Sequence, residues 1–229
     1  MIEAPGFPPG FFMRCANDSS RTCPVPFARG QWSDSMGSRL GFDFTSHVAA
    51  LCEDITRRSI EMRHIQMRSV CVTFSRARKR QLSGIQASLT PLRFEGGQLV
   101  GTRNGQRYKI QRVFGDRGEE YLYLLAFYLP RFMDLPLEEK LVTIFHELWH
   151  ISPDFDGDLR RHPGRCYVHT GSEREYDIEM ARKACRWLHL APPPAIYQFL
   201  RADFDELVRR HGRVVGTRIS QPKLIPVAA

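Results

Sequence analysis

Nowhere does this sequence reach the roughly 18 consecutive apolar residues that a membrane helix requires. The longest candidate, Tyr121 to Pro130, is about half that length and rich in strand formers, so neither a span nor a membrane partner is expected. Cys-x-x-Cys pairs are also missing. The six cysteines (Cys15, Cys23, Cys52, Cys71, Cys166 and Cys185) are scattered, which excludes a zinc ribbon and a dense disulfide framework and predicts free thiols in a reducing cytoplasm. The N-terminus, MIEAPGFPPGFF, lacks a basic stretch ahead of its apolar residues, and its Pro and Gly break any signal helix. Internal repeats are absent as well, which excludes a solenoid.

What is present is a chain of 229 residues, 42% hydrophobic and 25% charged, enough for one good core. Lys and Arg total 33 against 25 Asp and Glu, a formal +8 that permits an acidic partner without requiring one. Residues 1–44 are rich in Pro, Gly, Ser and Arg without apolar periodicity and read as a poorly ordered arm; translation from Met36 is an alternative start that mass spectrometry would reveal. Residues 45–229 read as a single domain.

From Thr45, taken as an N-cap, to about Met62, apolar residues Val48, Leu51, Cys52, Ile55 and Ile60 recur at helical intervals. Four strand patterns follow, Ser69 to Phe74, Ile85 to Phe94, Tyr108 to Phe114 and Tyr121 to Phe132, and are expected to form one small sheet. Pro136, Glu138 and Glu139 then suit a helix start, and Leu137, Leu141, Ile144, Phe145 and Leu148 mark an apolar stripe, predicting a largely buried helix from Pro136 to Ile151. Two further helices are expected over Glu173 to Leu190 and Ala195 to Arg210. The fold class is therefore α+β.

The buried helix contains H-E-L-W-H. His146 and His150, four positions apart, project from one face and can share a metal ion, with Glu147 beside them. Two neutral imidazoles suit zinc, which at an open site acidifies a water that a neighbouring carboxylate can deprotonate. A chance match, or an ordinary His pair on a helix, is the bland alternative. It is weakened by the setting, because two His and a Glu are costly to bury in an apolar helix unless coordinated or hydrogen-bonded. Spacing leaves the third ligand open. His162, Cys166 and His169 lie in the following loop. Glu173 with Asp177 makes E-x-x-x-D at a helix start, an arrangement in which the second carboxylate orients the site.

The block HELWHISPDFDGDLRRHPGRCYVH, preceded by LPLEEKLVTIF, resembles a group of bacterial and phage metallopeptidases related to the minimal zincins, over about Leu124 to Asp177. The resemblance implies a zincin-like fold, in which a mostly antiparallel sheet packs on the active-site helix. It also implies hydrolysis of a peptide or protein substrate, zinc held by His146, His150 and His169, and Glu147 as general base.

The chain has two other charged features. Asp154, Asp156 and Asp158 do not make an EF-hand, because Gly157 is fourth rather than sixth in that run; they are expected to support a site histidine, to pair with Arg160 and Arg161, or to form a solvated turn. Residues 57–80 hold Arg57, Arg58, Arg63, Arg68, Arg76, Arg78, Lys79 and Arg80 against Glu61 alone. That region could contact nucleic acid, as in a DNA-associated SprT-like protease or a non-catalytic binder with a zinc site, although a solvated face is the simpler reading.

Overall fold

A computed structural model describes residues 41–77, 80, 84–161 and 173–227, and for residues 173 and 174 the backbone alone. In chain order the elements are β1 (Phe42–Asp43), α1 (Phe44–Arg58), β2 (Val70–Arg76), β3 (Ala87–Pro91), β4 (Val100–Arg103), β5 (Gln106–Ile110), β6 (Val113–Phe114), β7 (Glu120–Tyr121), β8 (Tyr123–Leu129), α2 (Leu137–Trp149), α3 (Glu173–His189), α4 (Pro194–Tyr197), α5 (Phe204–His211), β9 (Val214–Val215) and β10 (Leu224–Pro226). The class is mixed α+β, with several small sheets among the described residues.

The central sheet has the order β2-β8-β3. β2 runs parallel to β8, Val70 opposite Tyr123 through Arg76 opposite Leu129, while β3 runs antiparallel to it, Ala87 opposite Phe127 through Pro91 opposite Tyr123. This corrects the expected mostly antiparallel sheet of four strands. The Tyr108 to Phe114 pattern instead divides between β5, in a separate sheet β10-β5-β4, and β6, paired with β7. Its residues are intermediate or exposed, whereas β2 and β8 are mostly buried. The apolar content of β2 and β8 draws them inward together, and the intervening chain is long enough for the crossover that a parallel pair requires.

α1 begins two residues earlier than expected, because Asp43 rather than Thr45 is its cap: the Asp43 carboxylate accepts from Ser46 N–H at 3.0 Å and from the Thr45 hydroxyl at 3.1 Å. Phe42 and Asp43 pair with Val214 and Val215, so the end of the segment expected to be an arm belongs to the fold; residues 1–40 lie outside the described residues. The helix ends at Arg58, where Ser59 turns extended, and Ile60 is left exposed rather than on the apolar face.

α1, α2 and α3 share one core with the sheet. Phe44, Val48, Leu51 and Ile55 belong to the same buried cluster as Ile144, Phe145 and Leu148 and the α3 residues Met180, Ala184 and Trp187. Burial of this size, at about 1.5–3 kcal/mol for each large side chain, is what holds the helices to the sheet. α3 is tied to α1 by the Trp187 indole N–H, which donates to Asp54 at 3.0 Å. The last predicted helix breaks into α4, a 3-10 turn (Gln198–Arg201) and α5, because Asp203 starts a new helix by capping Glu206 N–H at 2.7 Å.

The C-terminal segment runs back across the molecule. Phe74 N–H donates to Thr217 C=O at 3.1 Å, Ile219 N–H donates to the Thr73 hydroxyl at 3.1 Å, and Thr217 N–H donates to the Thr45 hydroxyl at 2.9 Å. It thereby covers the outer edge of β2 before β10 joins β5.

Candidate metal centre

α2 starts at Leu137 behind Pro136, carries two glutamates in its first turn, and ends at Trp149 with His150 as its helical-geometry cap. Its apolar stripe is buried as the spacing predicts, and that burial carries the motif inward. His146, Glu147 and His150 are 5%, 5% and 4% exposed. The two imidazoles lie edge to face with centroids 4.7 Å apart.

α3 packs against this face. The Tyr176 ring lies 4.8 Å from His146, edge on, and 5.8 Å from His150, nearly parallel to it at 18°. Asp177 Oδ1 is 3.7 Å from His146 Nδ1, within ion-pair range but beyond a hydrogen bond. The carboxylate beside the first histidine therefore comes from α3, and not from Asp154, Asp156 or Asp158. Glu173 opens α3 one turn before Asp177, so positions 173, 176 and 177 share a helix face.

Glu147 sits between the helix and the sheet. Burial pushes its carboxyl up to about 7, against the opposing pull of His146 and of a hydrogen bond from the backbone N–H of Leu89. That N–H is available for a structural reason. Leu92 N–H bonds to Leu122 C=O, and Tyr128 N–H to Gln86 C=O. In the antiparallel alternation, the even residues of β3 therefore face β8, while Ala87, Leu89 and Pro91 face away. The outward edge of β3 borders α2 and gives its Leu89 N–H to Glu147. β8 lies between β2 and β3, with a neighbour on each side.

The loop after the motif is fixed to the helix end. Arg160 N–H donates to His150 C=O at 2.7 Å, Ser152 N–H donates to Asp158 C=O at 3.2 Å, and Ile151 bridges to Leu159. The Tyr123 hydroxyl donates to Asp158 C=O at 2.9 Å and accepts from Gly157 N–H at 3.0 Å. Gly157 has φ +89°, and a side chain there would meet Arg93 Cγ at 2.5 Å, so the turn needs glycine. Asp158 pairs with Arg161 at 3.1 Å, one of the arrangements expected of this acidic run. Arg160 instead lies over the Trp149 ring at 3.9 Å, with Lys183 Nζ at 3.7 Å from the same ring.

Among the described residues, no three His, Cys, Asp or Glu side chains converge as a metal cluster. His162, Cys166 and His169 lie outside the described residues. The two imidazoles and their flanking carboxylate are nevertheless a donor set that suits zinc.

The basic region does not form one face. Arg58 is paired with Asp54 at 2.8 Å, and Arg80 with Asp134 at 2.9 Å and Asp205 at 2.8 Å. Arg57, Arg63 and Arg68 line one cavity, and residues 78 and 79 lie outside the described residues.

The chain matches no protein-family model, no curated protein and no solved structure. Among the described residues no helix is long and apolar enough to cross a membrane. Glu147, His146 and His150 are legible in the sequence, whereas Leu89 N–H and Tyr176 are not. The only signal for Tyr176 was its place beside Asp177, one turn after Glu173.

Proposed function

We propose that this protein is a zinc-dependent peptidase with a zincin-like arrangement of helix and sheet edge. The observation that carries the reading is the buried pair of imidazoles 4.7 Å apart, backed by Asp177 at 3.7 Å from His146 Nδ1. A carboxylate at Nδ1 favours Nε2 of His146 as the metal-facing nitrogen. His150 is the second ligand. The third is His169, as the family resemblance implies, or Glu173, which the position of Asp177 one turn later favours.

Bound zinc would acidify a water and polarise the scissile carbonyl. Glu147 would accept the proton from that water and pass it to the leaving amine nitrogen. The Leu89 N–H draws the Glu147 carboxylate toward β3, on whose outward edge the half-buried Leu89 turns its C=O away from β8, where an extended peptide can reach it. Pro91 contributes no donor there. A peptide seated on that edge passes beside Glu147, which supports a peptide as the substrate class.

The test is elemental analysis of purified protein together with cleavage of a diverse peptide library. One zinc per chain is expected in wild type, with loss in His146→Ala. Glu147→Gln should retain zinc and lose turnover by about a thousandfold or more. Zinc loss in His169→Ala with retention in Glu173→Ala assigns His169, and the reverse assigns Glu173. Wild-type protein that takes up no zinc, or a Glu147→Gln protein that cleaves normally, would overturn the reading.

A further inference from the structure

We infer that the cavity at the C-terminal end of α1 is a binding site for a nucleotide phosphate. The cavity has a volume of about 590 Å³ and is lined by Glu53, Thr56, Arg57, Arg63, Ile65, Gln66, Met67 and Arg68, a size that accepts a mononucleotide. None of these residues belongs to α2 or α3, and the inference does not depend on zinc chemistry.

Charge singles the cavity out. Elsewhere in this basic stretch Arg58 is neutralised by Asp54 and Arg80 by Asp134 and Asp205, while Arg76, among the described residues, stands alone on the surface. Among the described residues, Arg57 and Arg63 meet no carboxylate, and Arg68 is held only by its neutral neighbour Gln66, donating to Oε1 at 2.7 Å. Glu53 lies one turn before Arg57 yet forms no ion pair with any of the three. Three guanidinium groups against one carboxylate leave the cavity with a formal excess of two positive charges, without internal compensation.

The kind of anion follows from the walls. Guanidinium groups present paired N–H donors that match phosphate oxygens, so three around one space suit a phosphate better than a lone carboxylate. Ile65, which is buried, and Met67, which is partly buried, form an aliphatic wall against which a sugar or base can rest. A long nucleic-acid track is disfavoured, because the paired arginines interrupt the basic surface. A free nucleotide and the terminal phosphate of a strand share the chemistry that remains.

Calorimetric titration of the full chain at low salt tests the inference. The probes are pyrophosphate, an adenine nucleotide, and a short oligonucleotide with and without a 5′-phosphate. Saturable one-site binding of the nucleotide or the 5′-phosphorylated strand is expected, weakened about tenfold by Arg63→Gln or Arg68→Gln and unchanged by Arg76→Gln, an exposed arginine outside the cavity. The nucleotide binding more tightly identifies a free ligand; the phosphorylated strand doing so identifies a strand end. No binding of any probe overturns the site. So does equal binding of the unphosphorylated strand, or equal weakening by Arg76→Gln, since either result reports diffuse attraction to backbone charge.

Discussion

Asp177 offers Oδ1 to the face of His146 while accepting no hydrogen bond on that oxygen among the described residues, although it is buried. Leaving such an atom without a donor is costly, and a histidine whose other nitrogen is committed to a metal would turn an N–H toward it. Asp177→Asn preserves shape and removes the charge. Its zinc affinity is expected to fall by about 10- to 100-fold, measured by competition with a chromogenic chelator, while its circular dichroism stays that of wild type. Unchanged affinity would mean that Asp177 only fills space beside the ring. At this scale the sequence was legible where chemistry is written in side chains, as in His146, Glu147 and His150. It was silent on Leu89, whose contribution is a backbone N–H determined by strand register.

Lys140 shows how an element can be held by one buried cation. It stands in the first half of α2, is 2% exposed, and donates to Leu200 C=O at 2.7 Å and Ala202 C=O at 2.8 Å. It thus joins α2 to the end of the 3-10 turn before α5. Burial pushes its ammonium down to about 8, only partly opposed by Asp134, Asp203 and Glu206. The unfolded chain keeps the ordinary value of 10.5, so between these values the unfolded state binds more protons than the folded one. Lys140 should therefore make stability rise with pH from about 8 to 10.5, by up to about 3 kcal/mol. Urea midpoints across that window in wild type and Lys140→Met measure the effect: the variant should lose the rise, and parallel curves would contradict it. The helices themselves were legible because their apolar stripes repeat at 3.6 residues. Their joints were less so. Asp203 capping a new helix and Asp43 capping α1 ahead of Thr45 depend on which of several capping-competent residues receives the free N–H groups.

At the scale of the molecule, the two edges of the central sheet are treated differently. β2 is closed by the returning C-terminal segment through Thr217 and Ile219, and β3 borders α2. Removing residues 217–229 deletes those bonds together with the β10–β5 pairing. The expected result is a fall in Tm of roughly 10 °C and concentration-dependent self-association by light scattering, since an uncovered strand edge recruits another strand. A monomeric truncation with unchanged Tm would show that the segment only decorates the fold. This arrangement was the least legible part of the sequence. The partners of β2 are Tyr123–Leu129 and residues near 217, separated by many tens of residues, and periodicity carries no record of such pairings or of their parallel direction.

Trp149 is adjacent in sequence to His150 and lies between the guanidinium of Arg160 and the ammonium of Lys183. An indole flanked by two positive charges has emission that follows small changes in their positions. Arg160 is itself anchored to the Trp149 and His150 carbonyls. The protein thereby carries its own optical gauge at the end of the motif helix, so uptake of the proposed zinc is expected to register as a change in tryptophan fluorescence without an attached dye.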